Sequence, residues 1–392
     1  MENTWTDIFA LSQFGTGRTK IPYGGRTARI VINNCLQGSA IKITLANRYG
    51  KHNVPIDKAT FAPCDKDGTL IDLPKTFTFA GSENTQIKAY SAIESDSAEG
   101  TIKAGYLAIN LLFGKGARIN SANMLRERVI LSPKGDYTQA ESFADANRLT
   151  DKLITSAFKL LQVDRCDIIP ALESVSISTL AKNKCIVAFG DSITQGGVWS
   201  YRLAERLAAP VLNLSIAGNR LLYDCKSLPI IHNIFGKSAL KRFEQDVLSR
   251  QNAAAVIVAL STNDIGAPGS PAAPKSESVS AEQIIKGLKL LAEKAKAASL
   301  AVFFCTLSPF QGYRMGYLSG SEQKRQQVNK WIRTTDEHDG YFDFDQSIRD
   351  TKEPTIILPK YDSGDHLHPA DNGSLKMAND MDISSLQKLL NK

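Results

Sequence analysis

The sequence predicts an α/β fold preceded by a β-rich region, and three observations support that prediction. After residue 182, short apolar runs alternate with longer segments of helical periodicity. Before residue 180, runs of β-type alternation are separated by turns rich in Gly, Asn, Asp and Lys. The chain of 392 residues is also longer than one hydrophobic core usually serves. We therefore expect two domains, over residues 1–180 and 183–392.

The N-terminal region has the pattern of an antiparallel β domain. Period-2 alternation is clearest in residues 28–34, 40–47, 103–113 and 128–132. Short strands interrupted by turns are typical of a β-sandwich or jelly roll. One helix is predicted over residues 144–162, where apolar side chains recur on one helical face.

The C-terminal region alternates strands with helices. The strand candidates are residues 185–189, 211–216, 254–260 and 301–306. The helix candidates are residues 200–209, 238–250, 281–298, 321–335 and 372–390. Repetition at this spacing predicts βαβ units and a mostly parallel, doubly wound sheet. Residues 266–280 are rich in Ala, Pro and Ser and predict a flexible surface loop that follows Asn263 at the rim of a candidate active site.

Composition argues against several classes of protein. The formal net charge is +7, but Lys and Arg are scattered along the chain, so we expect no nucleic-acid partner. No stretch approaches the roughly 18 apolar residues of a membrane helix, and the N-terminus lacks the apolar core of a signal peptide. The six cysteines lie far apart in the sequence and none has C-x-x-C spacing. This pattern indicates reduced thiols and not a disulfide framework. We therefore expect a cytoplasmic protein with no membrane partner.

The most informative segment reads VAFGDSIT, residues 187–194, an apolar run that ends at a glycine and delivers Ser192. It predicts a buried strand with the serine exposed at its carboxyl end, where open α/β sheets carry out their chemistry. A serine hydroxyl becomes nucleophilic when a base takes its proton. Taken alone, the motif more often marks a capping serine in a βα loop. The downstream residues favour the nucleophile.

The sequence DHLHP, residues 365–369, supplies a candidate base and a residue that orients it. Imidazole titrates near neutral pH, so His368 is the predicted general base. Asp365 lies three residues earlier, a spacing that lets its carboxylate reach the imidazole Nδ1–H. The alternatives are a chance pairing in a polar surface loop and His366 as the base.

The same segment also allows a metal site as an alternative. An H-x-H pair on a strand shares one face, and zinc often binds two histidines and one carboxylate. The chain has only five histidines, and the others lie in no metal-ligand motif. We therefore predict neither a metal nor an organic cofactor.

Three groups are candidates for an oxyanion hole: the backbone N–H groups of Ser192 and Gly218, and the side-chain amide of Asn263. Each follows the end of a predicted strand, so one edge of the sheet would collect them. Donors aimed at a developing oxyanion contribute roughly 3 kcal/mol each. The alternatives are a simple turn glycine at 218 and an Asx turn at 263.

Four neighbouring residues receive lesser roles. Asp191 and Asp264 adjoin the candidate residues, and we expect both to accept hydrogen bonds from loop backbone. Tyr313 and Tyr317 lie in the glycine-rich segment PFQGYRMGYLSG. They either line a substrate cleft or are ordinary loop aromatics.

Taken together, these segments resemble the SGNH, or GDSL, hydrolase superfamily, whose four named residues correspond here to Ser192, Gly218, Asn263 and His368. The stretches GDSITQGG, SIAGNRLLYD, STNDIG and YDSGDHLHPADNG are similar to a bacterial, xylan-esterase-like subgroup. Members of that subgroup carry a β-rich N-terminal domain. The stretch ITLANRYG, residues 43–50, resembles a segment of that domain. One departure stands at Ser261, where the family usually has glycine. Its side chain would narrow the pocket or add a hydroxyl.

The resemblance implies a three-layer hydrolase domain and a serine esterase that forms an acyl-serine intermediate. Its substrates would be short-chain esters, above all acetyl groups on carbohydrates, presented as small molecules or oligosaccharides. The alternatives are a short-chain esterase or lipase for other esters, an acyltransferase, and an inactive carbohydrate-binding protein.

Overall fold

The computed structural model describes residues 3–16, 23–126, 128–145, 167–180, 183–224 and 233–392. The helix predicted over residues 144–162 lies outside the described residues from 146 onward, as do Cys166 and Cys225. Contacts divide the chain into two compact units, Met1–Asn183 and Lys184–Lys392. Each unit is described by itself.

The N-terminal unit is built from antiparallel strands. They are β1 (Asn3–Ala10), β2 (Phe14–Gly15), β3 (Arg26–Asn34), β4 (Gly38–Ala46), β5 (Val54–Cys64), β6 (Lys75–Thr76), β7 (Thr85–Ile87), β8 (Ala92–Glu94), β9 (Ala98–Ile102), β10 (Gly105–Phe113), β11 (Ser121–Leu125), β12 (Arg128–Lys134), β13 (Asp167–Pro170) and β14 (Leu172–Leu180). The four segments predicted from alternation correspond to β3, β4, β10 and β12. Their predicted ends are correct to within two residues.

Two larger sheets share the core of this unit. One has the order β1-β14-β4-β8 with β9 beside β4, and the other has the order β12-β3-β10-β5-β6 with β7 beside β5. A small third sheet has the order β13-β11-β2. Alternate side chains of both larger sheets, such as Ile41 and Ile43 of β4 and Ile30 and Ile109 of the other sheet, belong to one buried cluster. The β-rich character is confirmed, whereas the sandwich or jelly-roll connectivity stays a prediction.

The C-terminal unit contains an all-parallel sheet. Its strands are β15 (Cys185–Gly190), β16 (Val211–Ser215), β17 (Ala253–Ala259), β18 (Ala301–Cys305) and β19 (Gly340–Phe342), in the order β16-β15-β17-β18-β19. Every residue of β15 is buried, as expected for an apolar strand covered on both faces. The chain runs from β15 to β16 on one side and then returns to β17 on the other. The carboxyl ends of these three strands therefore flank the point where the strand order reverses.

Helices connect these strands. They are α1 (Ser192–Gln195), α2 (Val198–Leu207), α3 (Ala239–Phe243), α4 (Thr262–Gly266), α5 (Ala281–Ala297), α6 (Ser321–Thr334), α7 (Phe344–Ile348), α8 (Asp371–Asp380) and α9 (Ser384–Leu390). A π-helical turn over Glu244–Leu248 continues α3. No helix within the described ranges has the length and apolar character needed to cross a membrane. The parallel sheet is confirmed, and the three-layer arrangement stays a prediction.

One sequence prediction for this unit was wrong in detail, and one strand was missed. The segment 372–390 was predicted as one helix, but the chain turns extended at Met381, and the backbone N–H of Ser384 donates to the Asp382 carboxylate at 3.0 Å as α9 begins. Such a local acceptor competes with helix continuation. The three-residue strand β19 was not predicted, because so short a run carries no periodicity.

Candidate active site

Ser192 is the first residue of α1, directly after the turn that ends β15. A Cβ atom on Gly190 would lie 2.1 Å from the Thr194 hydroxyl oxygen, so this turn requires glycine. Asp191 caps the helix, because its carboxylate accepts the backbone N–H of Ile193 at 3.1 Å. Ser192 itself is partly exposed, while Asp191 is buried. The turn therefore presents the serine at the carboxyl end of the sheet.

His368 and Asp365 reach Ser192 from the other end of the sequence. Nε2 of His368 lies 2.8 Å from the Ser192 Oγ, and Nδ1 lies 2.6 Å from Oδ2 of Asp365. Oδ1 of Asp365 accepts the backbone N–H groups of Leu367 and His368 at 3.0 and 2.8 Å. The three predicted side chains thus form one continuous hydrogen-bonded chain.

The charge state of Asp365 fixes the roles of the imidazole nitrogens. Burial alone would raise the pKa of Asp365, but its hydrogen bond to His368, the charge of that imidazole and the backbone N–H groups hold this pKa well below its ordinary value. An ionised carboxylate only accepts hydrogen bonds, so Nδ1 of His368 carries the proton in this contact. Nε2 is then left to accept the hydroxyl proton of Ser192.

His366 belongs to a different pair. Its Nδ1 lies 2.6 Å from Oδ2 of Asp362, and its side chain is 53% exposed, against 21% for His368. The two histidines therefore contact separate carboxylates, and His368 is the one that contacts Ser192. Among the described residues, no group of three or more His, Cys, Asp and Glu side chains is arranged to hold a metal ion.

Gly218 lies in the turn after β16, residues 216–219, which we call the Gly218 turn. Gly218 has φ of 70°, and a Cβ atom there would lie 2.4 Å from the ring of Phe235, so both backbone and space require glycine. The neighbouring N–H of Ala217 donates to Oε1 of Gln195 at 3.0 Å, and that of Asn219 donates to the carbonyl of Ile216 at 3.1 Å.

The backbone N–H groups of Ser192 and Gly218, the two predicted donors, differ from those of Ala217 and Asn219 in their hydrogen bonding. Within the described part of the chain, the N–H groups of Ser192 and Gly218 donate to no protein acceptor. Both residues are partly exposed at the same edge of the sheet. An unpaired N–H at a solvent-accessible strand end is open to a bound oxygen atom.

Asn263 lies in α4, beyond the end of β17, and its side-chain amide is already engaged. Nδ2 lies 3.3 Å from Oδ2 of Asp191 and 3.2 Å from the backbone carbonyl of Asn219. These contacts join the Asn263 side chain to the Ser192 turn and to the Gly218 turn. A substrate oxygen would have to replace one of the two long contacts.

Asp191 and Asp264 accept backbone hydrogen bonds, as the sequence predicted. Asp264 accepts the N–H groups of Leu221 and Leu222 at 2.7 and 3.0 Å, while Asp191 accepts one from Ile193. Burial raises the pKa of each carboxyl to about 6. The side-chain contact of Asp191 with Asn263 was not foreseen, and it makes Asp191 part of the donor arrangement.

The glycine-rich segment 309–320 borders the site through two close backbone approaches. A Cβ atom on Gly312 would lie 3.1 Å from the His366 ring, and one on Gly316 would lie 2.4 Å from the carbonyl oxygen of Gly266 in α4. The pKa of Tyr313 is raised by burial and, to a smaller extent, by the negative charge of Asp365. The Tyr313 phenol is therefore close enough to Asp365 to feel its charge. Tyr317 instead packs on Phe310, with ring centroids 5.3 Å apart.

The segment 266–280, predicted to be a flexible surface loop, has one buried anchor. Its Glu277 forms a 2.7 Å ion pair with Arg220, whose side chain is 4% exposed. Arg220 directly follows the Gly218 turn. The loop is therefore tied to the strand-end region from which the site is built.

Two residues of this region were missed by the sequence analysis. Asn219 donates from Nδ2 to the carbonyls of Phe235 and Lys237 at 2.7 and 2.8 Å, and Arg242 donates to Oδ1 of Asn219 at 3.0 Å. Asn219 was visible only as a neighbour of Gly218. Arg242 stands in a predicted helix among other charged residues, a pattern typical of a solvated helix face.

One comparison with known proteins matches the region that carries these residues. Residues 188–375 match the model of the GDSL-like lipase/acylhydrolase family. No curated protein matches the chain. Among solved structures, a GDSL-like lipase from Bacteroides thetaiotaomicron is 19% identical, with a TM-score of 0.40, over 53% of this chain and 90% of that one.

Two carbohydrate esterases are also similar. A carbohydrate acetylesterase family member from Sinorhizobium meliloti is 15% identical, with a TM-score of 0.39, over 53% of this chain and 100% of that one. A family two carbohydrate esterase from Clostridium thermocellum, in complex with cellohexaose, is 14% identical, with a TM-score of 0.38. That likeness covers 95% of this chain and 96% of the other.

Replacing Ser261 by glycine is expected to stabilise the C-terminal unit. Ser261 has φ of 98°, is fully buried, and its hydroxyl has no hydrogen-bond partner among the described residues. Glycine adopts this conformation without strain and removes the unpaired hydroxyl, so Ser261→Gly should raise the free energy of unfolding by about 1 kcal/mol. Urea denaturation measures this change. The matched control is Ser278→Gly at an exposed position with φ of −62°, which should lower stability slightly. Equal losses in both variants would contradict the expectation.

Asp264 should make stability fall as pH rises from about 4 to about 6. Its folded-state pKa is raised to about 6, whereas an unfolded Asp titrates near 3.9, so the folded state binds more protons in this window. Asp264→Asn should therefore make the decline in unfolding free energy shallower by on the order of 1–2 kcal/mol. Urea titrations across this pH range test the slope, with Asp336→Asn at an exposed position as the control. The same slope in wild type and Asp264→Asn would refute this assignment.

Proposed function

We propose that the chain is a carboxylic ester hydrolase of the GDSL-like lipase/acylhydrolase family, whose model matches residues 188–375, and that Ser192 is its nucleophile. The observation that carries this proposal is the 2.8 Å contact between the Ser192 Oγ and Nε2 of His368. A hydroxyl whose proton faces the lone pair of a neutral imidazole is the arrangement that activates serine for acyl transfer.

In the proposed reaction, Nε2 of His368 takes the Ser192 proton as Oγ bonds to the ester carbonyl carbon. The imidazolium then gives that proton to the leaving alkoxy oxygen, and the alcohol departs from the acyl-serine. Water attacks the acyl-serine in the second half, again through His368, and releases the carboxylic acid. Asp365 stays ionised throughout, because its pKa lies well below neutral pH, and it stabilises the imidazolium.

The proposed oxyanion donors are the backbone N–H groups of Ser192 and Gly218 and the side-chain amide of Asn263. The first two have no acceptor among the described residues, which supports a role toward the substrate oxygen. Asn263 would exchange one of its contacts, with Asp191 or with the Asn219 carbonyl, for the oxyanion as charge develops. Such an exchange would favour the transition state over the ground state.

We further propose that the substrates are acetyl esters of carbohydrates. Support comes from the stretches GDSITQGG and YDSGDHLHPADNG, which resemble a xylan-esterase-like subgroup. In this proposal, residues 183–392 form the three-layer hydrolase domain, and residues 1–180 form an accessory domain with a sandwich or jelly-roll fold.

Hydrolysis of p-nitrophenyl acetate by site variants tests the nucleophile and the base. Ser192→Ala and His368→Ala should each lower kcat by about ten-thousand-fold or more, because each removes a bond-forming or proton-transferring group. His366→Ala is the matched control and should keep kcat within a few-fold of wild type. Asp365→Ala should retain more activity than Ser192→Ala, since the carboxylate orients the base and does not react. Full activity in Ser192→Ala, or equal losses in His366→Ala and His368→Ala, would overturn these roles.

Substrate class is tested by acyl length and by the released acid. The wild type should hydrolyse acetyl esters faster than butyryl esters and should release acetate from acetylated xylo-oligosaccharides. A preference for butyryl or longer esters, with no acetate released from the oligosaccharide, would assign the enzyme to non-carbohydrate esters. Binding of the oligosaccharide without turnover of any ester would point to a binding protein.

A further inference from the structure

We propose that Arg242 is a positioning residue that fixes the Ser192 turn and the Gly218 turn relative to each other. This inference rests on the proposed function of Ser192. Arg242 lies in α3, and its side chain is 4% exposed. Its influence would pass through the backbone and side chains that it binds.

The guanidinium first joins the ends of two neighbouring strands. Nη2 donates to the carbonyl of Gly190 at 3.0 Å, and Nη1 donates to the carbonyl of Leu214 at 2.9 Å. Gly190 ends β15 two residues before Ser192, and its carbonyl also accepts the backbone N–H of Ile216 at 3.2 Å. The buried guanidinium therefore holds the last carbonyl of β15 and a carbonyl near the end of β16.

The same guanidinium also reaches the oxyanion side of the site. Nε donates to Oδ1 of Asn219 at 3.0 Å, and Asn219 directly follows Gly218. The backbone carbonyl of Asn219 in turn accepts the side-chain amide of Asn263 at 3.2 Å. Each proposed oxyanion donor is thus within two residues, or one further hydrogen bond, of a group that Arg242 holds.

The positive charge of Arg242 also interacts with neighbouring side chains. Nη1 forms a 2.9 Å ion pair with Asp246, and the guanidinium carbon lies 4.0 Å from the ring centroid of Phe189 in β15. Burial raises the pKa of Asp191 to about 6, and the charges of His368 and Arg242 oppose that rise. The positive charge is therefore felt at the residue that precedes the nucleophile.

The geometry of arginine, rather than its charge alone, carries this arrangement. The acceptors of Arg242 include three oxygen atoms of the strand ends and turn and one carboxylate, which a planar fork of five N–H donors can meet together. A lysine ammonium has three donors on one atom and cannot span them. Arg242→Lys keeps the charge but loosens the turns.

The test compares Arg242→Lys with Arg325→Lys, an identical substitution at another buried arginine. Arg325 pairs with Asp345 at 2.6 Å and donates to the carbonyl of Leu307, so its loss removes a buried fork away from the Ser192 and Gly218 turns. Arg242→Lys should lower kcat for p-nitrophenyl acetate by about 10- to 100-fold with KM within about two-fold, because misplaced donors affect the transition state most. Arg325→Lys should lose stability but keep kcat within about three-fold.

A second variant guards against a failure to fold. Asn219→Ala removes the acceptor of Arg242 Nε, together with the two hydrogen bonds that Asn219 Nδ2 donates to the carbonyls of Phe235 and Lys237. It leaves the Arg242 guanidinium bound to its other partners, so it should lower kcat with KM unchanged. In the double variant the two losses should be less than additive, as expected for residues that act as one unit. If Arg242→Lys does not fold, the test compares the kcat of Asn219→Ala with the kcat of Arg325→Lys.

The outcomes separate this inference from the proposed function. If Arg242→Lys and Asn219→Ala lose no more kcat than Arg325→Lys, or raise KM alone, the positioning role is refuted while the Ser192 mechanism stands. If wild-type activity survives Ser192→Ala, the proposed function fails, and the positioning inference falls with it.

Discussion

The parallel pairing of β15 with both β16 and β17 is the constraint on which the candidate site depends. Parallel strands end at the same edge of a sheet, so the residues that follow these three strands meet there regardless of their distance in sequence. Ser192, Gly218 and Asn263 each occupy such a position. The sheet therefore collects the serine and its neighbouring donors before any side-chain contact is made, and the loop that carries His368 completes the arrangement.

The pKa values of the buried carboxyl groups around this edge of the sheet shift in two opposite directions. Asp365 is partly buried but receives the His368 imidazole and two backbone N–H groups, which keep its pKa low. Asp191 and Asp264 are more deeply buried, and the backbone donors they receive do not offset the desolvation, so their pKa values rise to about 6. Asp365 therefore supplies a fixed negative charge beside the His368 imidazole. The other two organise loops at a cost in stability near neutral pH.

The sequence predicted the features that have a local pattern. Four of the five strands of the parallel sheet, β15 to β18, were predicted from apolar runs, and Ser192, Asp365 and His368 were singled out as candidates by short motifs whose spacing has a chemical reason. The same motifs distinguished His368 from His366 through the three-residue offset from Asp365, and in the structure His368 is the histidine that lies beside Ser192.

Features that depend on tertiary contacts could not be read from the sequence. Arg242 has the sequence surroundings of an exposed helix residue, and only the fold turns it toward the carbonyl of Gly190. The amide of Asn263 gave no sign of its contacts with Asp191 and Asn219, because those partners come from two other strand ends. The left-handed backbone of Ser261 was likewise hidden, although the missing glycine at that position was noted.

The most direct test of the account is to trap the acyl-enzyme. Wild-type protein mixed with p-nitrophenyl acetate and quenched in acid during the first turnovers should gain the mass of one acetyl group, and peptide mass spectrometry should locate that group on Ser192. The adduct should be absent from Ser192→Ala treated in the same way. An acetyl group on another residue, or hydrolysis without any trapped adduct at Ser192 under conditions of burst release, would contradict the central claim.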